Sequence, residues 1–173
     1  MIEFLMFVGI FLMHLLTVPV AIFYAKFLEW FLHKYILHAI GRKRGSIWSF
    51  HWHMHHKIAR ANDFYDHQYE DDWTGGPLRE KISLFLLALV HIPLVYFLPF
   101  FYIALVHHAI KYYNTHKYAH LHPVWARAHL KWHYDHHMGK DQNKNWGVTT
   151  DYFDRLFKTR VEWPKPRPGR KRV

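Results

Sequence analysis

The sequence predicts an all-α integral membrane protein, with about three crossings, two of them forming a hairpin, beneath a helical cap on the cytoplasmic side. Three observations carry that prediction. Two long stretches lack any Lys, Arg, Asp or Glu; all 23 basic residues follow the first of them; and 14 of the 18 His crowd into the polar segments after each. A length of 173 residues favours one domain, because a second core would have too little chain. The expected domain is 1–162, followed by a flexible basic tail over 163–173 that is rich in Pro, Lys and Arg.

The first apolar run, from Phe4 to Ala25, contains 22 residues without a formal charge. As a helix it spans about 33 Å, enough for a hydrocarbon core of about 30 Å. Its start is acidic (Glu3) and the run is long, unlike the basic start and short apolar core of a secretory signal. It therefore reads as an uncleaved crossing, with a kink expected at Pro19. The second run, Ile82 to Ile110, has 29 residues. Two legs of half that length reach only about 21 Å each. A hairpin turning at Phe97-Leu98-Pro99 needs its flanks, Leu78 to Lys81 and Lys111 to His116, to complete a crossing. Without them it penetrates only part of the bilayer.

No Lys or Arg precedes Lys26. The positive-inside rule then places the N-terminus outside and residues 26–81 in the cytoplasm. A hairpin returns the chain to the same side, so both His-rich segments face one compartment. The net charge of +10 and the mean hydropathy of −0.21 are averages over two populations. The charge reports orientation, and dispersed basic residues of this kind give little support to nucleic-acid binding. No Cys is present, which excludes disulfides, thiolate metal sites and Cys nucleophiles.

Four histidine clusters stand out: His33-Lys-Tyr-Ile-Leu-His38; His51-Trp-His53-Met-His55-His56; His116-Lys-Tyr-Ala-His120; and His133-Tyr-Asp-His136-His137. Residues three or four apart share a helix face. His116 with His120, His51 with His55, and His133 with His136 and His137 can each point at one ion. The second His of each adjacent pair is rotated by about 100° and can reach a neighbouring ion. His33 and His38, five apart, suit different ions or a distorted helix. His14, His67, His91 and His129 read as structural or surface residues, since a lone His is more often a hydrogen-bonded one. Burying four clusters of imidazole without partners would be costly, so the pattern points to metal. About four ligands complete a structural zinc site; the ten or so offered here suffice for two ions with open positions. The Glu-x-x-His pairs of soluble carboxylate di-iron bundles are missing, and imidazole suits Zn, Cu, Fe and Ni.

The block HLKWHYDHHMGKDQNKNWGVTTDYFDRLFKT, residues 129–159, together with the opening EWFLHKYILH, resembles the fatty acid hydroxylase superfamily of integral-membrane, histidine-rich di-iron oxygenases. The C-terminal block is closest to fatty acid 2-hydroxylases, and the shortness of the chain also resembles the small carotenoid hydroxylases. The resemblance implies metal ligation by His33, His38, His51, His55, His56, His116, His120, His133, His136 and His137. The second box departs from the usual HxxHH, because Trp52 stands where its first His belongs; His51 is the expected ligand and His53 the alternative. Where the 2-hydroxylases often carry an Asp before the third box, this chain has Tyr113.

The resemblance further implies two iron ions, which zinc can replace in purified protein, and O2-dependent hydroxylation of a lipid C–H bond. Glu29, Asp135 and Asn143 are expected to orient the ligands, and Trp48, Phe50, Trp52 and Trp146 to line substrate access. With no length for a haem domain, electrons are expected from a separate protein, cytochrome b5-like or a ferredoxin. A lipid desaturase or a carotenoid or sterol hydroxylase of the same superfamily is the alternative reading. A non-redox membrane metal-binding protein is the alternative of another class; the position of the clusters outside the apolar runs counts against transport. The expected location is a bacterial inner membrane or the endoplasmic reticulum, with the metal site on the cytoplasmic side.

Overall fold

A computed structural model of the chain describes residues 1–71 and 73–163. The described residues are helical, with no strand among them. The basic tail expected over 163–173 lies outside them, save for Trp163. That residue is tied to the cap: its carbonyl accepts from Lys131 Nζ at 2.9 Å.

Helix α1, Ile2–Leu32, continues without a break into a π-helix, His33–Ile40. The 39 residues form the one helix, among those described, that is long and apolar enough to cross a membrane. The chain stays helical through Pro19. Residues 2–7 are all exposed, as suits a surface meant for lipid rather than protein. Further along, Ala21 and Ala25 are buried. Their small side chains, one turn apart, let another helix approach closely.

That neighbour belongs to a hairpin. Helix α3 spans Gly75–Val90, a one-turn α4 spans Leu94–Phe97, and α5 spans Pro99–Leu121. The reversal begins earlier than expected, at His91 to Pro93, because Pro93 interrupts the first leg and supplies no donor. Pro99 then starts α5 at a position where the missing N–H costs nothing. The legs measure about 24 Å and 35 Å at 1.5 Å per residue, and both include the flanking residues the sequence required. Beside the turn, Tyr24 Oη lies 3.1 Å from His91 Nε2, and Phe11 meets Phe100 edge-on at 5.4 Å.

The cap follows these helices. A second π-helix, His51–His55, leads into α2, His56–Ala61. After α5 come α6, Pro123–His129, α7, Lys131–Met138, and α8, Tyr152–Leu156. The loop between α7 and α8 is fixed by buried carboxylates. Asp154 accepts from the backbone N of Trp146 and Gly147 at 2.9 and 2.7 Å and from Thr159 Oγ1 at 2.6 Å. Glu29 of α1 accepts from Val148 N, from Thr149 N at 2.8 Å and from Thr149 Oγ1 at 2.7 Å. A Cβ on Gly147 would collide with the Thr150 carbonyl, which accounts for glycine in this turn.

Candidate metal centre

Ten of the eleven histidines in the four clusters are buried, none of the ten more than 3% exposed, and His53 is the half-buried exception. The structure gathers nine of them into two groups. His33, His38, His51, His56 and His136 form one; His55, His116, His120 and His137 form the other; within each, one ring nitrogen per residue lies within 4.8 Å of the rest. His133 stands beside the second group, its Nε2 3.2 Å from that of His120.

The partition differs from what α-helical spacing suggested. His51 was expected to pair with His55, yet it joins His56, and His33 joins His38. Both pairs are five apart and lie in or beside π-helical segments. The i→i+5 turn of a π-helix brings position five back to the same face. On α5 and α7, which keep the ordinary period, His116 and His120 do share a group, while the adjacent His136 and His137 divide between the two. The second box presents His51 to the first group; His53 turns away, its Nε2 2.9 Å from the Arg42 carbonyl.

Hydrogen bonding sets the ring orientation. Nδ1 of His33, His120 and His136 lies 2.6, 2.8 and 2.7 Å from the carbonyls of Trp146, Phe64 and Lys144. Nδ1 of His55 lies 2.8 Å from Asp66 Oδ2, and Nδ1 of His116 lies 2.8 Å from Glu80 Oε1. Carbonyls and carboxylates only accept, so each Nδ1 carries the proton and each Nε2 keeps a lone pair when the ring is neutral. Asp63 and Phe64 both adopt positive φ, and this tight turn helps deliver the Phe64 carbonyl to His120.

The lone pairs converge. In the first group the Nε2 atoms of His33 and His51, and of His38 and His56, are 3.0 Å apart, and that of His136 lies 3.1 Å from His38. Nitrogens bound to an ion at 2.0–2.1 Å, at angles between square and tetrahedral, are separated by about 2.9–3.4 Å. In the second group Nε2 of His55, His116 and His137 is buried without a hydrogen-bond partner. Five donors in one cluster and the orphaned nitrogens of the other fit a pair of metal ions.

Electrostatics favour the same state. Burial, only partly opposed by the bond to the Lys144 carbonyl, lowers the His136 pKa to about 3. Burial, reinforced by neighbouring imidazoles, also drives His51, His56, His120, His133 and His137 well below their ordinary value. These rings are therefore neutral at pH 7, the form that binds metal. Burial pushes the Asp66 carboxyl up, but hydrogen bonds from His55 and Gln68 outweigh it and hold the group low.

The three residues expected to orient the ligands have other partners. Glu29 holds the 148–149 backbone, with His108 Nε2 at 3.4 Å. Asp135 is bound by Lys131 at 2.6 Å and approached by Arg160 at 3.8 Å. Asn143 accepts from Arg42. Asp135 and Asn143 bond to other segments of the cap, while Glu29 clamps α1 to the 148–149 loop at the edge of a cavity. Orientation falls instead to Asp66 and Glu80, to Tyr69, whose Oη lies 3.0 Å from His116 Nδ1, and to Gln142, whose amide lies 3.0 Å from His56 Nδ1. Glu80 left one trace in the sequence, as the last acid before the second uncharged run; Asp66 left none among its acidic neighbours.

A cavity of about 420 Å³ adjoins both groups. His33, His51 and His55 line one end, and Leu86, Leu87 and Val90 of α3 the other. From Gly76 to Val90 the wall runs about 21 Å along that helix. Val90 is 76% exposed and Leu86 50%, so the far end meets the outer, apolar face of the hairpin. Trp48 and Phe50 line the cavity as expected, whereas Trp146 packs on His33, His38 and His136.

Fold and site together define a helical protein with a membrane-type helix and two buried histidine groups able to hold metal. The fatty acid hydroxylase family model matches residues 18–159. The chain belongs to the fatty acid hydroxylase family, a membrane-associated family of oxidoreductases. No curated protein and no solved structure matches it.

Proposed function

We propose that the protein is a membrane-bound, non-haem di-iron oxygenase that hydroxylates a C–H bond of a lipid, fatty acyl or related. The observation that carries this reading is the continuity of two histidine groups with an apolar cavity that ends on the lipid-facing side of α3. The overall balance is RH + O2 + 2 e⁻ + 2 H⁺ → ROH + H2O, with the electrons drawn from a separate carrier protein.

Two irons would supply O2 activation, and the ten histidines are the residues that would hold them. The rest is work for the chain. Carbonyl and carboxylate acceptors at Nδ1 fix the tautomers and aim the rings. The neutral imidazoles avoid burying charge. The apolar wall takes up the hydrocarbon, excludes water and leaves the reacting carbon beside His33, His51 and His55. In this reading α1 crosses the bilayer with its N-terminus outside, the hairpin enters from the cytoplasmic side, and the centre lies just beyond the bilayer on that side.

The test is reconstitution of the iron-loaded protein in lipid with a reductase and a carrier under ¹⁸O2. The expected product is a lipid carrying one labelled hydroxyl. A desaturated lipid without label would move the assignment to a desaturase. No oxygenated or desaturated product from acyl, sterol or carotenoid lipids would overturn it. A His136→Ala variant that kept both metals and full turnover would overturn the ligand assignment.

A further inference from the structure

Trp52 belongs to neither histidine group, yet it touches the first. Its ring centroid lies 5.0 Å from that of His38 and 5.2 Å from that of His56, inclined at 34° to the latter. The Arg42 guanidinium lies over the same indole, 4.3 Å from the centroid. Arg42 is exposed and is held by Asn143, while its carbonyl is bound by His53. One aromatic side chain therefore separates the exposed rim of the cap from the buried nitrogens. Exposed cations in the adjoining segments are Lys43 and Arg44, next to Arg42 in the chain, Lys57, next to His56, and Lys140, in the loop that carries Asn143. Asp141 is the acid between Lys140 and Asn143, and it accepts from Asn143 N at 2.8 Å.

This rim stands well along the chain from the uncharged part of α1. Gly41 follows Ala25 by 16 residues of continuous helix, α-helical to Leu32 and π-helical from His33 to Ile40. A basic surface so placed, over an aromatic contact to a buried metal site, suits a protein partner.

We propose that the rim formed by Arg42, Lys43, Arg44, Lys57 and Lys140 is the docking face for an acidic one-electron carrier, an iron–sulfur or haem protein, and that Trp52 conducts between that carrier and the five-histidine group. The inference rests on the oxygenase reading, since only redox turnover needs a carrier. The reduced carrier gives up one electron per encounter and leaves oxidised. Two encounters supply both electrons of the balance above, and the protons come from solvent. Complementary charge accelerates and orients the encounter, while the indole provides contact without opening the centre to water.

The experiment uses the full chain in nanodiscs of uncharged phosphatidylcholine, with a [2Fe–2S] ferredoxin and the soluble haem domain of a cytochrome b5 as probes. Binding is measured on zinc-loaded protein, so that no turnover intervenes. Affinity for at least one probe should fall with rising salt, and the Lys43→Glu, Arg44→Glu double variant should weaken it by about tenfold at unchanged metal content. Arg42, the cation stacked on Trp52, is left in place. Electron uptake is then followed by stopped flow on iron-loaded protein mixed anaerobically with pre-reduced carrier. Trp52→Leu should bind the carrier as before but take up electrons about tenfold or more slowly at saturating carrier, and Trp52→Phe should recover part of the rate.

Unchanged carrier affinity in the double variant overturns the docking face. So does an effect seen only as lost binding to anionic vesicles, which would make the rim a membrane surface. Wild-type electron uptake in Trp52→Leu overturns the conducting role. If wild-type protein oxygenates lipid while these variants behave normally, this inference fails alone; if the carrier binds and delivers electrons but no lipid is oxidised, it is the oxygenase reading that fails.

Discussion

Replacing Asp66 by asparagine isolates what a buried carboxylate does for the second histidine group. Oδ2 of Asp66 accepts from His55 Nδ1 at 2.8 Å, while Oδ1 accepts from Gln68 N at 3.0 Å. An aspartate serves both donors because both of its oxygens accept. An asparagine cannot. If its oxygen stays on Gln68, its NH2 faces the Nδ1–H of His55, and the ring must move its proton to Nε2, the nitrogen aimed into the group. If the amide turns over, NH2 faces the Gln68 N–H instead. In the first case the lone pair that His55 aims into the group is lost, and in the second one buried donor is left facing another, at a cost of about 1–3 kcal/mol.

Loss of such an outer partner costs a metal site about 10–100-fold in affinity, or about 1.4–2.8 kcal/mol. The conflict just described places Asp66→Asn toward the upper end. The assay is competition against a chelator, which resolves the two binding events of the lipid-reconstituted protein. The weaker-binding event of the variant should be the one that reports on His55, His116, His120 and His137. The first group draws its Nδ1 contacts from the Trp146 and Lys144 carbonyls and from Gln142, so its affinity should move by less than about threefold, the size of ordinary context effects. Equal affinity of both sites with wild type, or a loss confined to the five-histidine group, would refute the argument.

Acid should destabilise the metal-free protein. His136 has a folded pKa of about 3 against an unfolded value of about 6.5. Between those limits the unfolded chain binds more protons, so stability falls as pH drops below about 6.5, with a loss on the order of 4–5 kcal/mol from this ring by the bottom of the window. A thermal midpoint that stayed level between pH 7 and pH 5 would contradict this. His51→Ala should cost the protein metal from the five-histidine group, whereas His53→Ala should leave metal content unchanged, as read by elemental analysis. Glu29→Gln can keep its oxygen on the Val148 and Thr149 N–H groups but sets its NH2 against Thr149 Oγ1 and His108, where a carboxylate oxygen now accepts; it should lower unfolding stability by about 1 kcal/mol, read by denaturant titration, with both metals retained when folded. Leu87→Trp should fill the apolar end of the cavity and cut lipid turnover or move the site of oxidation, again with metal content unchanged.

Residues 33–56 show what could and could not be read in advance. The ten histidines were legible because imidazoles at that density do not suit burial without metal, and the structure does bury all ten. Their assignment to groups was not, because the spacing was judged by the 3.6-residue period. The informative feature was the repeated interval of five, His33 to His38 and His51 to His56, which on an α-helix faces nowhere useful and on a π-helix returns to one face. An i→i+5 turn is rare and poorly favoured by backbone energetics alone, so finding it at both intervals suggests that the buried nitrogens, not local propensity, select the backbone here. The orienting groups were illegible for a different reason. The Trp146 carbonyl meets His33 across 113 positions, and Glu80 meets His116 across 36. Such partners follow no period and are chosen by the path of loops, which the α1–loop clamp of Glu29 and the Asp154 turn hold in place. The sequence signature around Trp146 to Thr149 is therefore best understood as architecture: it carries no ligand of its own, but it sets the carbonyl that fixes the tautomer of the first ligand in the chain.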